Sequence, residues 1–481
     1  MNTRNPLRLL EPSMSLRNLE LREIVWSEAF PFVRLFRSFH LAKRPTRVFV
    51  ALIAILAVYL SARALDGLWV AVGGGVTRVA ADRGAMNELD FAVMGQTFTP
   101  PASAPGQSRP PQTGPFAAWY RAAERGSNQI IGAAAGVPLG GSLGPVLAGV
   151  SQKLSATAWL ASHRPIYSLI LGLISLAAFS LACLTIARQA ALEATIDEHI
   201  SIGQALDFAK EKWPQGMLAM VFFALPFVAA GLVFFVLSLL GAIPYFGEFI
   251  LGVAFPLMLV IGFVLALAVI AALLGGGLVW PTLAIEASDH FDAVSRACSY
   301  VGRRTWSVAF YLVALLVYSG ICLVFVRVAA MLTLKLAHGG IAGSLRMIGI
   351  HDGGEARLTK LDHMWRMPDW ASLPWIPGAS DAPFYGDLFV GPLARWETVG
   401  AYLLCASVFL IVGIVAAFGV SLWTCGGVQM YLLLRRDVDR TDYDEIFFEE
   451  PRTQATGPLD KMAASPAAGP TSGTSLPVVR G

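Results

Sequence analysis

Two glutamates follow directly on long apolar stretches, and they are the first candidates for a functional carboxylate in this chain. Glu193 and Glu286 each stand just past such a stretch, where a carboxylate could contact an ion or a substrate. If the stretches are helices, however, an acid at the C-terminal end opposes the helix dipole and needs a compensating cation. We therefore expect structural pairing, with Arg188, Arg303 or Arg304 as the partner, ahead of ligand contact.

Clusters of acids and histidine come soon after, and they could bind a cation or relay protons. The members are Asp197, Glu198 and His199 in the first cluster, and Asp289, His290 and Asp292 in the second. Acids are also favoured at helix starts, where they offset the dipole, and the sequence from Ser201 to Gln204 is a capping-box pattern. We interpret both clusters as solvated residues at helix starts.

A charged pair lies within the first apolar stretch. Arg63 and Asp66 are three residues apart, so they share a helix face and can pair. A charge inside a membrane span is a functional hypothesis by default. Near the end of a span, however, arginine can extend its charge to the interface. We expect this explanation for Arg63, and also for Arg327.

The chain shows no recognisable catalytic or metal-binding motif. His351, Asp352, Glu355, Asp362 and His363 do not match a defensible ligand spacing. The five cysteines are scattered and form no CxxC pair. Walker A, HExxH and GxSxG patterns are absent. We therefore predict no catalytic residue, metal or cofactor.

Composition places the chain in the membrane. Hydrophobic residues make up 55% of the 481 residues, charged residues make up 14%, and the mean hydropathy is +0.60. Soluble domains carry about 25% charged residues. The net charge of +3 is small, so no nucleic-acid partner is indicated.

Long charge-free runs predict an all-α, polytopic membrane protein. Residues 249–285 and 398–434 carry no charged side chain, and about 20 apolar residues suffice to cross a bilayer. The six predicted spans cover residues 48–72, 166–187, 217–240, 249–274, 307–330 and 399–434.

Lysine and arginine predict the orientation. They are concentrated in residues 1–47 and near one end of the later spans, which by the positive-inside rule places both termini in the cytoplasm of an inner membrane. We expect residues 1–47 to be a basic amphipathic leader on the anionic inner leaflet, with no cleavable signal peptide at the start. We expect residues 435–481 to form a cytoplasmic, disordered tail.

Two long segments then lie outside, residues 73–164 and 338–397. The first contains a Pro-rich linker from Thr97 to Pro115. Two amphipathic stretches follow, Phe116–Arg125 and Val146–Leu160, which we expect on the membrane surface. Glycines spaced by four between them allow a packed or re-entrant helix. Interrupting prolines favour an irregular loop. The second segment is rich in tryptophan, which suits interfacial anchoring.

An internal repeat links the second and fourth spans. A shift of 93 residues places Glu193 on Glu286 and Trp213 on Trp306. Each copy reads as a span, an acid, and a cytoplasmic elbow helix, within residues 188–215 and 275–306. Duplicated span pairs occur in transporters, but copying of one packing arrangement explains them as well, and we favour the latter.

The second copy carries a resemblance. The stretch from Leu283 through Arg296 to Trp306 resembles a signature of uncharacterised bacterial multi-pass membrane proteins. It is distantly similar to the membrane domain of some glycerophosphodiester phosphodiesterases. Glu286, Ala293, Arg296 and Trp306 carry the likeness. The resemblance implies about six helices and membrane residence, and no chemistry.

Three functions remain open from the sequence. The first is a non-enzymatic scaffold or membrane-organising protein with membrane-protein partners or as a homo-oligomer. The second is a small-solute or lipid transporter or channel, and the third is an enzyme acting on lipid. We favour the first, because interfacial features are abundant and polar residues within the spans are few. A polar cavity at mid-membrane would favour transport.

Overall fold

The computed structural model describes residues 30–81, 84–93, 112–349, 358–373, 384–391, 393–443 and 446. Residues 1–29 of the predicted leader, most of the Pro-rich linker and the predicted tail beyond 446 lie outside these ranges. So do His351, Asp352 and Glu355.

Helices dominate the described residues. In chain order they are α1 Arg37–Ala42, α2 Pro45–Ala71, α3 Glu88–Val93, α4 Pro115–Gly136, α5 Gly144–His163, α6 Pro165–Ile196, α7 Ile202–Gly241, α8 Gly247–Gly275, α9 Val279–Glu286, α10 His290–Arg303, α11 Thr305–Met347, α12 Lys360–Met364 and α13 Arg395–Asp439. Short 3-10 turns cover Pro31–Phe36, Val137–Leu139, Gly276–Leu278 and Trp370–Ser372.

The strands are short. They are β1 Val76–Ala81, β2 Gly84–Asn87, β3 Gln112–Thr113, β4 Trp365–Arg366 and β5 Asp387–Leu388. Strand β1 pairs antiparallel with β2 and β3, and β4 pairs antiparallel with β5.

Six helices are long and apolar enough to cross a membrane: α2, α6, α7, α8 with α9, α11 and α13. This confirms the predicted fold class of a polytopic all-α protein. The helices are longer than the predicted spans. At 1.5 Å per residue, the 43 residues of α11 extend about 65 Å, more than twice a hydrocarbon core of about 30 Å. Helix α11 therefore projects beyond any bilayer that it crosses.

The two predicted elbows differ in structure. The second is a separate helix, α10, because Arg304 leaves the helical conformation (φ −135°, ψ 45°) before α11 begins. The first is not separate. Residues 188–196 continue α6, and α7 runs from its capping box at Ser201 straight through Pro214. A proline inside a helix removes one backbone hydrogen bond and often kinks the helix, but the helical conformation of α7 continues past Pro214.

The core is concentrated at one end of the bundle. We call this end, where Arg44, Glu193, Glu286 and Arg435 lie, the basic end. Buried side chains there come from α1, the start of α2, the ends of α6 and α13, and from α9 and α10. Small residues let these helices approach: a Cβ on Gly427 would lie 2.9 Å from the Gly277 carbonyl oxygen.

The described part of the leader is folded into this core. Leu35 and Leu41 are buried, and Phe39 packs edge-to-face on Phe418 at 5.6 Å between ring centroids. Phe36 lies 4.9 Å from Tyr318 of α11. Within the described part of the leader, Phe36 and Phe39 thus contact α11 and α13.

Helices α7 and α8 make a hairpin with little packing in its membrane-spanning stretch. No residue in the most apolar window of α8 is buried. Leu259 and Phe263, for example, are 59% and 65% exposed. The other spans surround the core, whereas this hairpin presents apolar side chains outward.

Helices α4 and α5 form a second hairpin, which agrees with the packed-helix alternative and differs from the irregular loop and the separate surface stretches that we favoured. They neither lie apart on a surface nor frame an irregular loop. The pair closes through two glycines: a Cβ on Gly126 would meet the Gly149 carbonyl oxygen at 2.8 Å. Gly140, at φ +89°, makes the turn between them, a left-handed conformation that glycine adopts without steric cost.

The end of α4 reaches deep beside α11. A Cβ on Gly320 of α11 would meet the Ala134 Cβ at 2.9 Å, and Arg327 donates to the Asn128 side-chain oxygen at 2.7 Å. Gly320 lies about 22 Å along α11 from Thr305, within a hydrocarbon core of about 30 Å. The end of the hairpin therefore packs against the middle of α11, where Arg327 holds α4 through Asn128.

Candidate functional site

Glu193 is clamped by two arginines from the start of α2. Its Oε1 accepts from Arg44 Nε at 3.0 Å and Nη2 at 2.7 Å, and its Oε2 accepts from Arg47 Nη2 at 2.6 Å. Glu193 and Arg47 are both buried. Arg47 also donates to the carbonyl oxygens of Leu41 and Gln189.

This clamp resolves the electrostatic problem that the sequence posed. The C-terminal end of a helix is negative, and Glu193 adds a full negative charge to the end of α6. Arg47 neutralises the carboxylate and binds the Gln189 carbonyl of the same helix end. The expected partner, Arg188, instead donates to the Ala284 carbonyl at 2.8 Å and covers the Phe208 ring. It therefore joins α6 to α9.

Glu286 has a comparable arrangement with different partners. Arg435 Nε lies 2.9 Å from its Oε1, and the Tyr431 hydroxyl donates to the same oxygen at 3.1 Å. Arg296 Nη1 lies 3.7 Å from Oε2, and Arg296 Nε donates to Asp292 at 2.9 Å. The cations thus come from α10 and α13, and Arg303 and Arg304 are not the partners.

Arg296 is held firmly in its charged form. Burial by itself would lower the pKa of Arg296, but the hydrogen bond to Asp292 and the negative charge of Glu286 outweigh burial and raise the pKa above its usual value. Its role in this structure is to tie α10 to α9.

The acid–histidine clusters are engaged at the helix junctions. Asp289 caps α10 by accepting from the Asp292 N–H at 2.8 Å, as expected of a helix start. His290 Nδ1 lies 2.7 Å from Gln215 Oε1. In the first cluster, Asp197 pairs with Arg37 at 2.7 Å. His199 Nε2 lies 2.6 Å from Arg44 Nη2.

An open polar cavity of about 510 Å³ adjoins the second cluster. Lys212, Gln215, Asp289 and Asp292 are among its lining residues. Lys212 donates to the Ala287 carbonyl at 2.6 Å, which ties the start of α7 to the turn after α9. The cavity mixes both signs of charge, and its acids already serve α10 as cap and as partner of Arg296.

Asp66 has a role that the sequence did not indicate. Its Oδ1 accepts from the Tyr167 hydroxyl at 2.7 Å and from the Phe116 N–H at 2.9 Å, and its Oδ2 accepts from the Ala117 N–H at 3.1 Å. Asp66 is buried, whereas Arg63 is about half exposed and its Nη1 lies 3.8 Å away. The expected Arg63–Asp66 pair is therefore the weaker contact.

The Asp66 carboxylate, which belongs to α2, thus caps the first turn of α4. Helix α4 has no side-chain cap of its own, and a Cβ on Gly114 at its N-cap would overlap Asp66. Free N–H groups at a helix start attract an anion. Asp66 therefore fixes the N-terminal end of the α4–α5 hairpin against the first span.

The three acids described above are all engaged by partners within the protein. Glu193, Glu286 and Asp66 each accept from two or more donors within the protein. Across the described ranges, no three potential metal ligands come together. His338 and Asp362 lie 3.3 Å apart, where they join α11 to α12.

The sequence missed Arg44, Arg47, Tyr167, Tyr431 and Arg435 as partners. They are remote in sequence, with Arg47 lying 146 residues from Glu193. The available signal was an excess of arginine beside the span ends. It indicated that positive charge gathers there, but it did not indicate which arginine pairs with which acid.

Comparisons with known proteins gave no relative for this chain. Searches of protein-family models, of curated proteins and of solved structures each returned no match.

Proposed function

We propose that this protein is a non-enzymatic scaffold of the inner membrane, with both termini cytoplasmic. In this proposal the basic end faces the cytoplasm, as the positive-inside rule favours. The anionic inner leaflet is the partner of its basic leader. The resemblance of residues 283–306 to uncharacterised multi-pass proteins forms part of the proposal and adds no chemistry.

One observation carries the proposal. The six spans divide into a core joined by buried ion pairs and an α7–α8 hairpin whose membrane-spanning stretch is almost wholly exposed. Contacts between helices in a membrane depend on close packing, which small residues permit. A Cβ on Gly262 of α8 would meet no atom within 4 Å. We propose that a partner helix packs on α8, from another membrane protein or a second copy.

The test is photo-crosslinking in native membranes. We place benzoylphenylalanine at Phe263 of α8 and, as a matched control, at Phe325 of α11, because both phenylalanines are 65% exposed. We expect a discrete protein adduct from position 263 and lipid adducts alone from position 325. Lipid adducts alone from both positions would refute the partner helix on α8.

A second candidate is lipid transport. It is favoured by an apolar cavity of about 500 Å³ between α2, α4, α5 and α6. Transport of a polar solute has less support, because the spans supply few polar side chains. Accelerated exchange of labelled phospholipid between the leaflets of vesicles containing the purified protein would favour transport over scaffolding.

A further inference from the structure

The cavity between the first two spans and the α4–α5 hairpin is lined mainly by apolar side chains. Tyr59 comes from α2, Phe116 and Trp119 from α4, Leu160 from α5, and Leu171 from α6. At about 500 Å³ it lies within the range of roughly 300–1,000 Å³ that small-molecule sites occupy.

Three of the polar side chains that line the cavity are already hydrogen-bonded within the protein. The Trp119 indole N–H donates to the Thr157 hydroxyl at 3.1 Å, and that hydroxyl donates to the Lys153 carbonyl at 2.9 Å. The Ser168 hydroxyl donates to the Pro165 carbonyl at 2.9 Å. The remaining hydroxyls of the lining are few beside its apolar side chains, so a hydrocarbon fits this wall better than a strongly hydrated solute, which would lose most of its hydrogen bonds to water.

Basic residues stand just beyond the cavity on the side away from the basic end. Arg63 is one helical turn after Tyr59 on the same face of α2, and its side chain is 53% exposed. Arg164, the N-cap residue of α6, precedes the lining residue Ser168 by four residues. Its guanidinium donates to the Gly74 carbonyl at 3.3 Å and to the His163 carbonyl at 3.1 Å, and a guanidinium has five N–H groups in all. An apolar cavity with cations at its outer rim is complementary to a lipid that carries a phosphate.

We propose that the cavity holds one acyl chain of a glycerophospholipid whose phosphate lies against Arg63 and Arg164. At about 500 Å³ the cavity is large enough for one such chain. The source is the leaflet around the end of the bundle marked by Asp66. An empty cavity would forfeit the dispersion contacts of its lining, and the chain restores them.

The test is to fill the cavity from the protein side. Gly172 of α6 lines it, and a Cβ there would meet no atom within 4 Å, so Gly172→Leu occupies the space without a backbone clash. Gly252→Leu is the matched control, because Gly252 lies in another span, outside the lining, and is equally open. Ala161→Leu, on α5, fills the same cavity from a different helix.

Native mass spectrometry in mild detergent reads the result. We expect about one phospholipid per wild-type and Gly252→Leu protomer, and at least a tenfold lower occupancy in Gly172→Leu and Ala161→Leu. Arg63→Gln should lower retention several-fold, with Arg63→Lys restoring most of it. Size-exclusion chromatography and thermal unfolding confirm that each variant folds. Full retention in both folded filling variants, or no phospholipid on the wild-type protein, would overturn the assignment.

This inference does not depend on the proposed scaffold. Loss of the partner adduct at Phe263 with lipid retained would refute the scaffold and leave the lipid site standing. The opposite result would refute the lipid site alone.

Discussion

Replacing Asp66 by alanine tests how the α4–α5 hairpin is anchored to the first span. The change removes acceptors from two N–H groups in the first turn of α4, at 2.9 and 3.1 Å. Loss of such a cap costs about 0.5–2 kcal/mol. It also strands the Tyr167 hydroxyl, which is fully buried, at a further cost of about 1–3 kcal/mol. We expect a total destabilisation of about 2–4 kcal/mol.

Asparagine at the same position should cost less. Its single oxygen can still accept from Tyr167 and Phe116, which share Oδ1 of Asp66. The amide NH₂ would then face the Ala117 N–H, donor against donor. We expect about 1–2 kcal/mol from the lost cap and charge.

Two further variants separate capping from charge pairing. Arg63→Gln should change stability by less than about 0.5 kcal/mol, because an exposed pair at 3.8 Å contributes little. Asp66→Ala should cost about 1–3 kcal/mol less in a Tyr167→Phe background, since the stranded hydroxyl is then absent.

The assay is equilibrium unfolding in mixed micelles with increasing sodium dodecyl sulfate, together with hydrogen exchange on residues 115–120. We expect the amides of Phe116 and Ala117 to lose protection in Asp66→Ala. Stability within about 0.5 kcal/mol of the wild type, with those amides still protected, would refute the capping role. A larger loss from Arg63→Gln than from Asp66→Ala would show that the ion pair dominates.

The remaining predictions concern the buried clamp and the hairpin crossing. Glu193→Ala should destabilise by about 3–5 kcal/mol, because it leaves buried Arg47 without its carboxylate. Glu286→Ala should cost less, because Glu286 is partly exposed, and micelle unfolding gives the ranking; equal losses would contradict it. Gly126→Ala should cost about 1–3 kcal/mol through its clash with Gly149. Gly136→Ala, which meets nothing within 4 Å, is the control and should be neutral or stabilising; equal effects would contradict the close crossing.

The long apolar runs were sufficient to predict the membrane spans. A helix that crosses a bilayer must be predominantly apolar over about 20 residues, and that requirement is local in sequence. The helix ends were less predictable. Helix α11 ends just before Gly349, whose φ of +79° is typical of a helix stop, but such a glycine is one of many in the chain and does not by itself mark a helix end.

The glycine-rich stretch shows why the sequence favoured a loop over the packed helices. Pro138 and Pro145 suggested an irregular loop, because proline interrupts a helix interior. In the structure Pro138 lies in the turn and Pro145 lies in the first turn of α5, where proline fits. The prolines separate two helices instead of preventing one. The sequence also could not show that α4 packs against α11, where Gly320 leaves room for Ala134.

The sequence by itself determined that the chain is a multi-pass membrane protein, and that an acid closing a span needs a cation, because hydrophobicity and helix polarity act within one segment. Only the tertiary structure decided which cation. Arg44 and Arg47 serve Glu193, and Arg435 serves Glu286, because folding brings those helix ends together. Asp66 makes the same point, since its main partners lie 50 and more residues away. Pairing depends on which ends meet, and that is a property of the packed bundle.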